Sequence, residues 1–415
     1  MAYDTPLGDA STSRIPARQL LTARSLLQIL KLVHTRELVS RSELSYETGI
    51  SRSTIGEHVD RLIQAGLIVE GPEGGVTGGR RSRLLALNRE WGCLAGISMG
   101  ATGTEVCITD VSNTIIDSQR LDMPIELGPH QVLKEVSETI SQMTEKAALP
   151  LMGVGVGAPG PVNARAGWVE APPIMPGWDR FPIVDWLRRR LQCPVYLDND
   201  VNIMALGERT LRRARPDSFV FVKIATGIGA GLIISGKLHR GFSGCAGDIG
   251  HIPVTNEAVP CSCGRFGCLE AMASGAAIAR LAQEVAVQQN ASLLTETFDR
   301  QGTLTAADVG HAATCGDSEA LNIVHGAARY LGQALASVVN ILNPSLLVLG
   351  GGVIKMGDFY LAAVREYVYK RSLPLATRDL KIERSVDNEQ VGMVGASTLV
   401  TESLIDLDYL ANNVV

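Results

Sequence analysis

One histidine and three cysteines stand close together in the chain: His251, Cys261, Cys263 and Cys268. Zinc in a purely structural site binds about four nitrogen or sulfur atoms in a tetrahedron. Glycines between the cysteines allow the backbone to turn tightly enough for three thiolates to converge. The alternative is a disulfide from Cys261 to another cysteine beside an uninvolved histidine, but a bridge to Cys263 would close a strained ring. The spacing therefore predicts a closed zinc site with no position for a reactive water.

Two carboxylates flank the predicted zinc site. Asp248 lies three residues before the histidine, and Glu270 lies two residues after the last cysteine. Because the metal uses all four of its ligands, its expected role is to hold this segment in place. We therefore expect Asp248 and Glu270 at the mouth of a pocket.

A second polar group follows a short apolar run at 195–197, which predicts a strand. Asn199 and Asp200 come shortly after it, ahead of a predicted helix. Ligands of α/β folds gather at strand ends. A helix cap at Asp200 and a turn at Asn199 would explain the same pattern without a ligand. In the functional interpretation, Asn199 binds a hydroxyl group and Asp200 accepts the proton of an alcohol.

Glycine turns follow two predicted strands, at 93–98 and 218–225, and each leads into a further strand. A strand, turn and hairpin that occur twice predict a duplicated α/β lobe with a cleft between the copies. Backbone N–H groups of such turns can approach a phosphate, although many glycine-rich hairpins bind nothing. A third glycine run, beginning at Gly350 and Gly351, ends a predicted strand where a nucleotide could pack.

The composition is that of an ordinary globular chain, with 415 residues, 46% hydrophobic, 20% charged and a net charge of -5. The length predicts two or three domains. The negative net charge does not exclude DNA binding, because one basic face is sufficient. No signal peptide opens the chain, and the apolar runs are too short for a membrane span. The five remaining cysteines are scattered, so we expect reduced thiols and a cytoplasmic protein.

The N-terminal region predicts a helix-turn-helix after a mobile leader of about 20 residues. The first helix is expected to begin near Thr22, and the second runs from Ser42 to Gly49, which supplies a left-handed turn residue. Ser51 then caps a third helix. The predicted buried stripe of that third helix consists of Ile55, Val59, Leu62 and Ile63.

Two short strands, at 67–69 and 84–87, enclose a glycine-rich, basic tip that resembles the wing of a winged helix. Guanidinium groups at such a tip suit phosphate or minor-groove contact. The alternative is a small helical packing module with a solvated polar face. The wing favours DNA binding, with the start of the third helix facing the bases. The predicted DNA contacts are Ser51, Arg52, Ser53, Thr54, His58, Arg80 and Arg81.

These motifs together resemble the ROK family, which contains repressors, uncharacterised reading frames and sugar kinases. The resemblance covers residue 90 to the end and implies a two-lobed actin-like, hexokinase-type ATPase fold. The winged helix in front resembles the regulator branch. The matching segments are Asn199-Asp200, the turn 226–231, the run 244–251 that ends at the histidine, the cysteine motif 261–270 and the glycines 350–352.

The resemblance also implies roles for individual residues. Asp200 takes the place of the base of the kinases. The implied sugar pocket consists of Asn199, Asp200, Asp248, His251 and Glu270. The implied zinc ligands are His251, Cys261, Cys263 and Cys268. The implied phosphate and nucleotide segments contain Ser98, Gly100, Thr102, Thr226, Gly227, Gly229, Gly231, Gly350 and Gly351.

Three departures from the family pattern predict that phosphoryl transfer has been lost. Family kinases begin with Asp-x-Gly-Gly-Thr, whereas this chain has Ser98 in place of the acid, and a hydroxyl is not the anionic oxygen that magnesium prefers. In the sugar loop, Ile174 replaces the start of Asn-Leu-Pro-Gly-Trp. Asp248 is one methylene shorter than the usual glutamate. We therefore expect a reshaped sugar pocket without ATP or magnesium.

The chain is accordingly interpreted as a sugar-responsive transcriptional repressor of carbohydrate metabolism that acts on an operator as a homodimer or a dimer of dimers. The alternatives are an ATP-dependent sugar kinase with a DNA-binding arm, and a constitutive regulator with a vestigial pocket. The segment 391–399 predicts a helix with a face of small residues. The predicted domains are a leader at 1–20, a winged helix-turn-helix at 21–89, a first lobe at 90–202 plus 386–415, and a second lobe with the zinc motif at 203–385.

Overall fold

The computed structural model describes residues 17–36, 38–73, 83–172, 174–212, 216–288 and 292–404. The chain divides into two compact units. The first unit reaches Cys93 and includes Asp110–Ser112 and the chain from Thr401; the second comprises Leu94–Thr109 and Asn113–Val400. No helix in the described ranges is long and apolar enough to cross a membrane.

The first unit packs three helices on a small antiparallel sheet. Apolar side chains of all three helices, among them Leu26, Leu44 and Val59, form its core. The elements are α1 (Ala17–Arg36), β1 (Val39–Ser40), α2 (Arg41–Thr48), α3 (Arg52–Gln64), β2 (Ile68–Glu73) and β3 (Arg83–Leu87). Strand β3 lies between β1 and β2 and is antiparallel to both. The helix-turn-helix and its two following strands are as predicted, whereas β1 was not predicted and the basic tip between β2 and β3 lies outside the described ranges.

Capping residues set the ends of these helices. Ser51 caps α3 by accepting a hydrogen bond from the Thr54 N–H, and Gly49 ends α2 with φ 68, both as predicted. Two predicted helix starts are wrong. Helix α1 begins at Ala17, so Thr22 lies inside it and the last residues of the predicted leader are helical. Helix α2 is capped by Ser40 rather than Ser42, because a capping box with Glu43 satisfies two backbone donors.

The first half of the second unit contains a five-stranded sheet, the first sheet. Its strand order is β10-β7-β4-β5-β6. Strands β8 (Val162–Asn163) and β9 (Trp168–Val169) form a separate pair. The other elements of this half are β4 (Cys93–Met99), β5 (Thr104–Asp110), β6 (Ile115–Leu121), α4 (Pro129–Ala147), β7 (Leu151–Ala158), α5 (Ile183–Leu191), β10 (Val195–Asn199) and α6 (Asp200–Leu211).

The second half contains another five-stranded sheet, the second sheet, with the order β13-β12-β11-β14-β15. Both sheets therefore place their first strand in the centre, the second and third on one side and the fourth and fifth on the other, which confirms the predicted duplication. The elements are β11 (Phe219–Ile224), β12 (Ile228–Ile234), β13 (Lys237–Leu238), α7 (Leu269–Ala273), α8 (Gly275–Val287), α9 (Leu293–Gln301), α10 (Ala306–Thr314), α11 (Ser318–Leu342), β14 (Leu346–Gly350), α12 (Asp358–Arg371), α13 (Pro374–Thr377), β15 (Lys381–Arg384) and α14 (Val391–Leu404).

Helices α6 and α14 cross closely because glycines lie at the contact. A Cβ added at Gly207 would overlap the carbonyl oxygen of Val391, and one added at Gly395 would overlap that of Ile203. The predicted face of small residues on the last helix is thus confirmed. The start of α6 also packs on the second sheet, where a Cβ added at Gly231 of β12 would lie 2.7 Å from the Val201 carbonyl oxygen.

Candidate functional site

The four predicted zinc ligands converge. One potential ligand atom from each of His251, Cys261, Cys263 and Cys268 lies within 4.8 Å of all the others. The Cys261 Sγ is 3.5 Å from His251 Nδ1, and the Cys263 and Cys268 Sγ atoms are 3.8 Å apart. A tetrahedron with Zn–S bonds of about 2.3 Å requires sulfurs about 3.8 Å apart. The arrangement therefore fits a zinc ion held by three thiolates and one imidazole.

The acidity of the cysteines also fits a cation. Burial opposes ionisation of Cys263, yet hydrogen bonds from Arg265 and the neighbouring cysteines lower its pKa to about 6. Burial and the adjacent sulfur of Cys263 raise the pKa of Cys268 to about 12. Without a cation, ionisation of one cysteine thus disfavours ionisation of the next. A divalent ion would remove this repulsion, since thiolates are the form that binds metal.

Glu270 connects the metal cluster to the turn between β11 and β12. Its Oε2 accepts a hydrogen bond from the Ile228 N–H at 3.0 Å, and its Oε1 accepts one from the Ser262 hydroxyl at 3.0 Å. Asp248 is exposed, and its Oδ1 lies 3.9 Å from His251 Nε2, the ring nitrogen that faces away from the cysteines. Both predicted carboxylates therefore lie beside the four candidate metal ligands, and their place at the mouth of a sugar pocket stays a prediction.

Asn199 and Asp200 stand where β10 passes into α6. The Asn199 side chain caps α6 through Oδ1, while its Nδ2 donates to the Gly160 carbonyl oxygen. Asp200 is buried and accepts hydrogen bonds from the Val201 N–H and from Lys223 Nζ, the latter at 2.5 Å. Both residues thus lie at a strand end, as predicted, and both also form hydrogen bonds within the chain.

Sequence reasoning missed two cations beside this junction. Lys223 pairs with Asp200, and the Arg240 Nε lies 2.6 Å from Oδ2 of the buried Asp198. Alternation along β11 places Lys223 on the same face as the buried Phe221, which is a signal that a charged group points inward. For Arg240 no comparable signal exists, because it lies in a loop outside any periodic pattern.

The glycines of the predicted turn 226–231 do not all belong to a turn. Gly227 lies in the turn next to Glu270, but Gly229 and Gly231 are part of β12. A Cβ at Gly231 would lie 2.7 Å from the Val201 carbonyl oxygen and 2.6 Å from the Ala205 Cβ. Close packing on α6 therefore gives Gly229 and Gly231 a structural role, and their place in a phosphate segment stays a prediction.

Similar packing explains the other glycine segments. The Gly100 N–H is bonded to the Gly103 carbonyl oxygen, which closes the turn beside the exposed Thr102. The Gly351 N–H donates to Asn388 Oδ1 at 2.7 Å, and a Cβ at Gly350 would lie 2.5 Å from the Phe221 ring. The backbone donors of Gly100 and Gly351 are thus already used inside the chain.

In the first unit, the start of α3 presents an exposed polar face. Ser51, Arg52 and Ser53 are exposed, and Thr54 is half-buried. His58 is only 7% exposed, and its Nδ1 has no hydrogen-bond partner among the described residues. Burial, followed by the charge of Arg61, lowers the pKa of His58. His58 therefore belongs to the core, and its prediction as a DNA contact is wrong. The wing-tip residues Arg80 and Arg81 lie outside the described ranges.

Each of the two units matches a known protein-family model. The model of the ROK family matches residues 94–403, and a helix-turn-helix domain model matches residues 22–71. The glucokinase of Halalkalibacterium halodurans is 33% identical over 314 residues, 74% of this chain and 94% of that protein. The xylose repressor of Caldicellulosiruptor bescii is 28% identical over 396 residues, 94% of this chain and 99% of that protein.

A solved structure of a ROK family transcriptional regulator, a homologue of the Escherichia coli MLC protein, has the same fold. It superposes with a TM-score of 0.81 at 25% identity and covers 95% of this chain and 99% of its own. The fold thus defines a helix-turn-helix protein with a sugar-kinase-like second unit. The chain belongs to the ROK family.

Proposed function

We propose that this chain is a sugar-responsive, DNA-binding transcriptional repressor whose kinase-like unit senses a sugar and no longer transfers phosphate. The observation that carries the proposal is the combination of a helix-turn-helix unit with a ROK unit in which Ser98 replaces the acid of the kinases. The xylose repressor of C. bescii, similar along nearly its whole length, supports the same combination.

The first unit is proposed to bind operator DNA through the start of α3. Ser51, Arg52 and Ser53 are exposed there, at the end that meets base edges in this motif. Arg80 and Arg81 of the predicted wing would add phosphate or minor-groove contacts. Because helix-turn-helix proteins read two half-sites as dimers, we propose a homodimer or a dimer of dimers.

The sugar is proposed to lie between the two predicted lobes, at 90–202 with 386–415 and at 203–385. Asn199 and Asp200 would contact it from the first lobe, and Asp248, His251 and Glu270 from the second. Sugar binding would close the lobes and change the spacing of two winged helices. A ligand shifts such an equilibrium only through its different affinities for the two states.

A structural zinc ion is proposed for His251, Cys261, Cys263 and Cys268. When bound, zinc supplies charge neutralisation and a fixed geometry to a loop with little other regular structure. The cluster then keeps Glu270 in reach of the turn before β12 and leaves Asp248 facing solvent. We place the protein in the cytoplasm, where thiols stay reduced.

The proposal is tested by operator binding in the presence of sugars. DNA fragments selected from a random library with the purified chain are titrated with and without D-xylose, D-glucose and N-acetylglucosamine. We expect one sugar to weaken binding at least tenfold. Identical binding with every sugar would overturn the sensor half of the proposal.

The DNA half has its own test. Arg80→Ala and Arg81→Ala should weaken binding to all sequences and reduce its salt dependence by about one counterion each. An exposed arginine of the second unit, Arg188, provides the matched control Arg188→Ala. Unchanged affinity and salt slope in the wing variants would remove the wing from the interface.

A sugar kinase with a DNA-binding arm is the second candidate, favoured by Asp200 and by the similarity to the H. halodurans glucokinase. A coupled ADP-release assay over hexoses and amino sugars separates the two. Turnover that disappears in Asp200→Ala would establish the kinase and contradict the loss of phosphoryl transfer.

A further inference from the structure

An ion pair joins Lys223 on β11 to Asp200 at the start of α6. Lys223 Nζ lies 2.5 Å from Asp200 Oδ2, and the Val201 N–H donates to Oδ1 at 2.8 Å. The Asp200 side chain is 8% exposed and that of Lys223 is 23% exposed. An ammonium has three donors and a carboxylate about four acceptor positions, so both groups keep bonding capacity after the pair has formed.

Lys223 stands between two glycines on its face of the second sheet, and the Val201 side chain and the Phe221 ring pack closely over these glycines. Lys223 lies opposite Gly229 in β12 and opposite Gly350 in β14. Residues directly opposite each other on neighbouring strands point to the same face, so no side chain stands beside the lysine on either strand. Earlier on β11, Phe219 and Phe221 fill this face with buried rings. The ion pair thus forms the polar end of an otherwise apolar row.

We propose that Lys223 and Asp200 together bind one hydroxyl group of the sugar effector, an inference that rests on the proposed function. The hydroxyl donates its hydrogen to the Asp200 carboxylate, while the Lys223 ammonium donates to the hydroxyl oxygen. A hydroxyl is both a donor and an acceptor, and this pair satisfies both capacities. Hydrogen bonds to charged groups are stronger than neutral ones.

The same arrangement favours binding over transfer. In a kinase, a base takes the proton of the hydroxyl while a lone pair of its oxygen attacks the phosphoryl group. An ammonium that donates to this oxygen engages a lone pair and makes the oxygen a poorer nucleophile. Lys223 is therefore a specificity residue that keeps the bound hydroxyl intact.

The test measures sugar affinity of the full-length chain by calorimetry, with D-glucose and D-xylose as probes. Lys223→Met removes the ammonium and should weaken binding of the responsive sugar at least about tenfold, as expected for a charged hydrogen bond. Lys223→Arg keeps a cation and should recover most of the affinity. Lys237→Met, an exposed lysine of β13, is the control and should bind like the wild type.

A double-mutant cycle separates a direct contact from general damage. Because both residues bind the same hydroxyl, Lys223→Met in an Asp200→Asn background should cause less than about a threefold further loss. If Lys223→Met does not fold, Lys223→Gln replaces it and should show a loss that Lys223→Arg does not.

The outcomes distinguish this inference from the proposed function. If the wild type binds a probe sugar and Lys223→Met binds it equally well, the inference is overturned and the sensor function stands. Additive losses in the cycle overturn it too. If no probe binds to the wild type, the proposed sensor function and this inference fail together.

Discussion

The two sheets of the second unit share one strand order but differ in the residue that stands two positions before the first turn. In the first sheet the turn is closed by the Gly100 N–H, and the residue two positions earlier is Ser98. In the second sheet the turn is closed by the Ala225 N–H, and the residue two positions earlier is Lys223. Ser98 faces α14, because a Cβ at Gly392 would overlap its hydroxyl. Lys223 faces α6 through Asp200. Each sheet thus meets the helix that follows the other sheet.

This reciprocal packing explains why so many glycines are needed. Gly155 of the first sheet lies against the Ala396 carbonyl of α14, and Gly231 of the second lies against the Val201 carbonyl of α6. Among the described residues, the candidate metal ligands and the half-buried Lys223 both lie in the second repeat. The difference teaches that duplication supplied the frame, whereas the predicted zinc ligands and Lys223 belong to the second copy alone.

Removal of the proposed zinc site should have the largest effect, because three thiolates and one imidazole on one metal would hold the surrounding loop in place. Cys268→Ser should lose the bound zinc and cost about 4 kcal/mol or more of stability, as loss of a metal does. Zinc per chain is measured by mass spectrometry and stability by urea unfolding. Cys315→Ser, an exposed cysteine outside the cluster, is the control. A wild-type protein that is fully stable but contains no zinc would contradict the proposal of a structural zinc ion.

The helix crossing comes next. Gly395→Ala forces a Cβ into the Ile203 carbonyl and should cost about 2–3 kcal/mol by overpacking. Gly326→Ala in α11 is the matched control, since nothing lies within 4 Å of its added Cβ. That substitution should stabilise the chain by about 0.5–1 kcal/mol through lower backbone entropy. Equal effects of the two variants in thermal unfolding would mean that the crossing is not tight.

A buried carboxylate fastens α6 to the end of the second sheet. Glu208 is fully buried and accepts hydrogen bonds from Arg212 Nε at 2.6 Å and the Ser385 hydroxyl at 2.7 Å. Glu208→Gln weakens this charged network and should cost about 2 kcal/mol in urea unfolding. Glu284→Gln breaks only an exposed pair with Arg280 and should cost less than about 0.5 kcal/mol. If Glu208→Gln lowers the free energy of unfolding as little as the control does, Glu208 does not stabilise the contact between α6 and the second sheet.

The smallest effect concerns the first unit, which lacks a repeat and buries a single titratable ring in α3. Burial lowers the pKa of His58 below its ordinary value of 6.5. As pH falls below 6.5, the unfolded chain binds a proton that the folded unit does not, so stability falls and levels off below the folded pKa. When the pH is lowered from 7.5 to 5.5, the α3 amides should lose more protection from hydrogen exchange than the amides of the second unit do. His58→Leu should abolish the difference; a difference that persists would exclude His58 as its source.

Local patterns were sufficient for several parts of the site. The four candidate metal ligands lie within 18 positions from His251 to Cys268, so their spacing alone constrains the geometry. Ser51 and Gly49 follow from capping rules that involve only neighbouring residues. The prediction of His58 as a DNA contact is wrong because a polar residue near the start of α3 need not lie on its exposed face. For Gly229 and Gly231 the sequence does not separate the two roles, because a glycine needed for packing has the same sequence signal as one in a phosphate turn.

The sequence by itself determined the helix-turn-helix, the duplicated sheets and the convergence of His251 with three cysteines, since each depends on residue type and short-range spacing. Tertiary structure alone decided what Asp200 and Asp198 contact. Their partners, Lys223 and Arg240, lie 23 and 42 positions away in sequence. Such pairs form only when the second sheet packs on α6. Side chains distant in the chain acquire partners through that packing, and no periodic pattern records it.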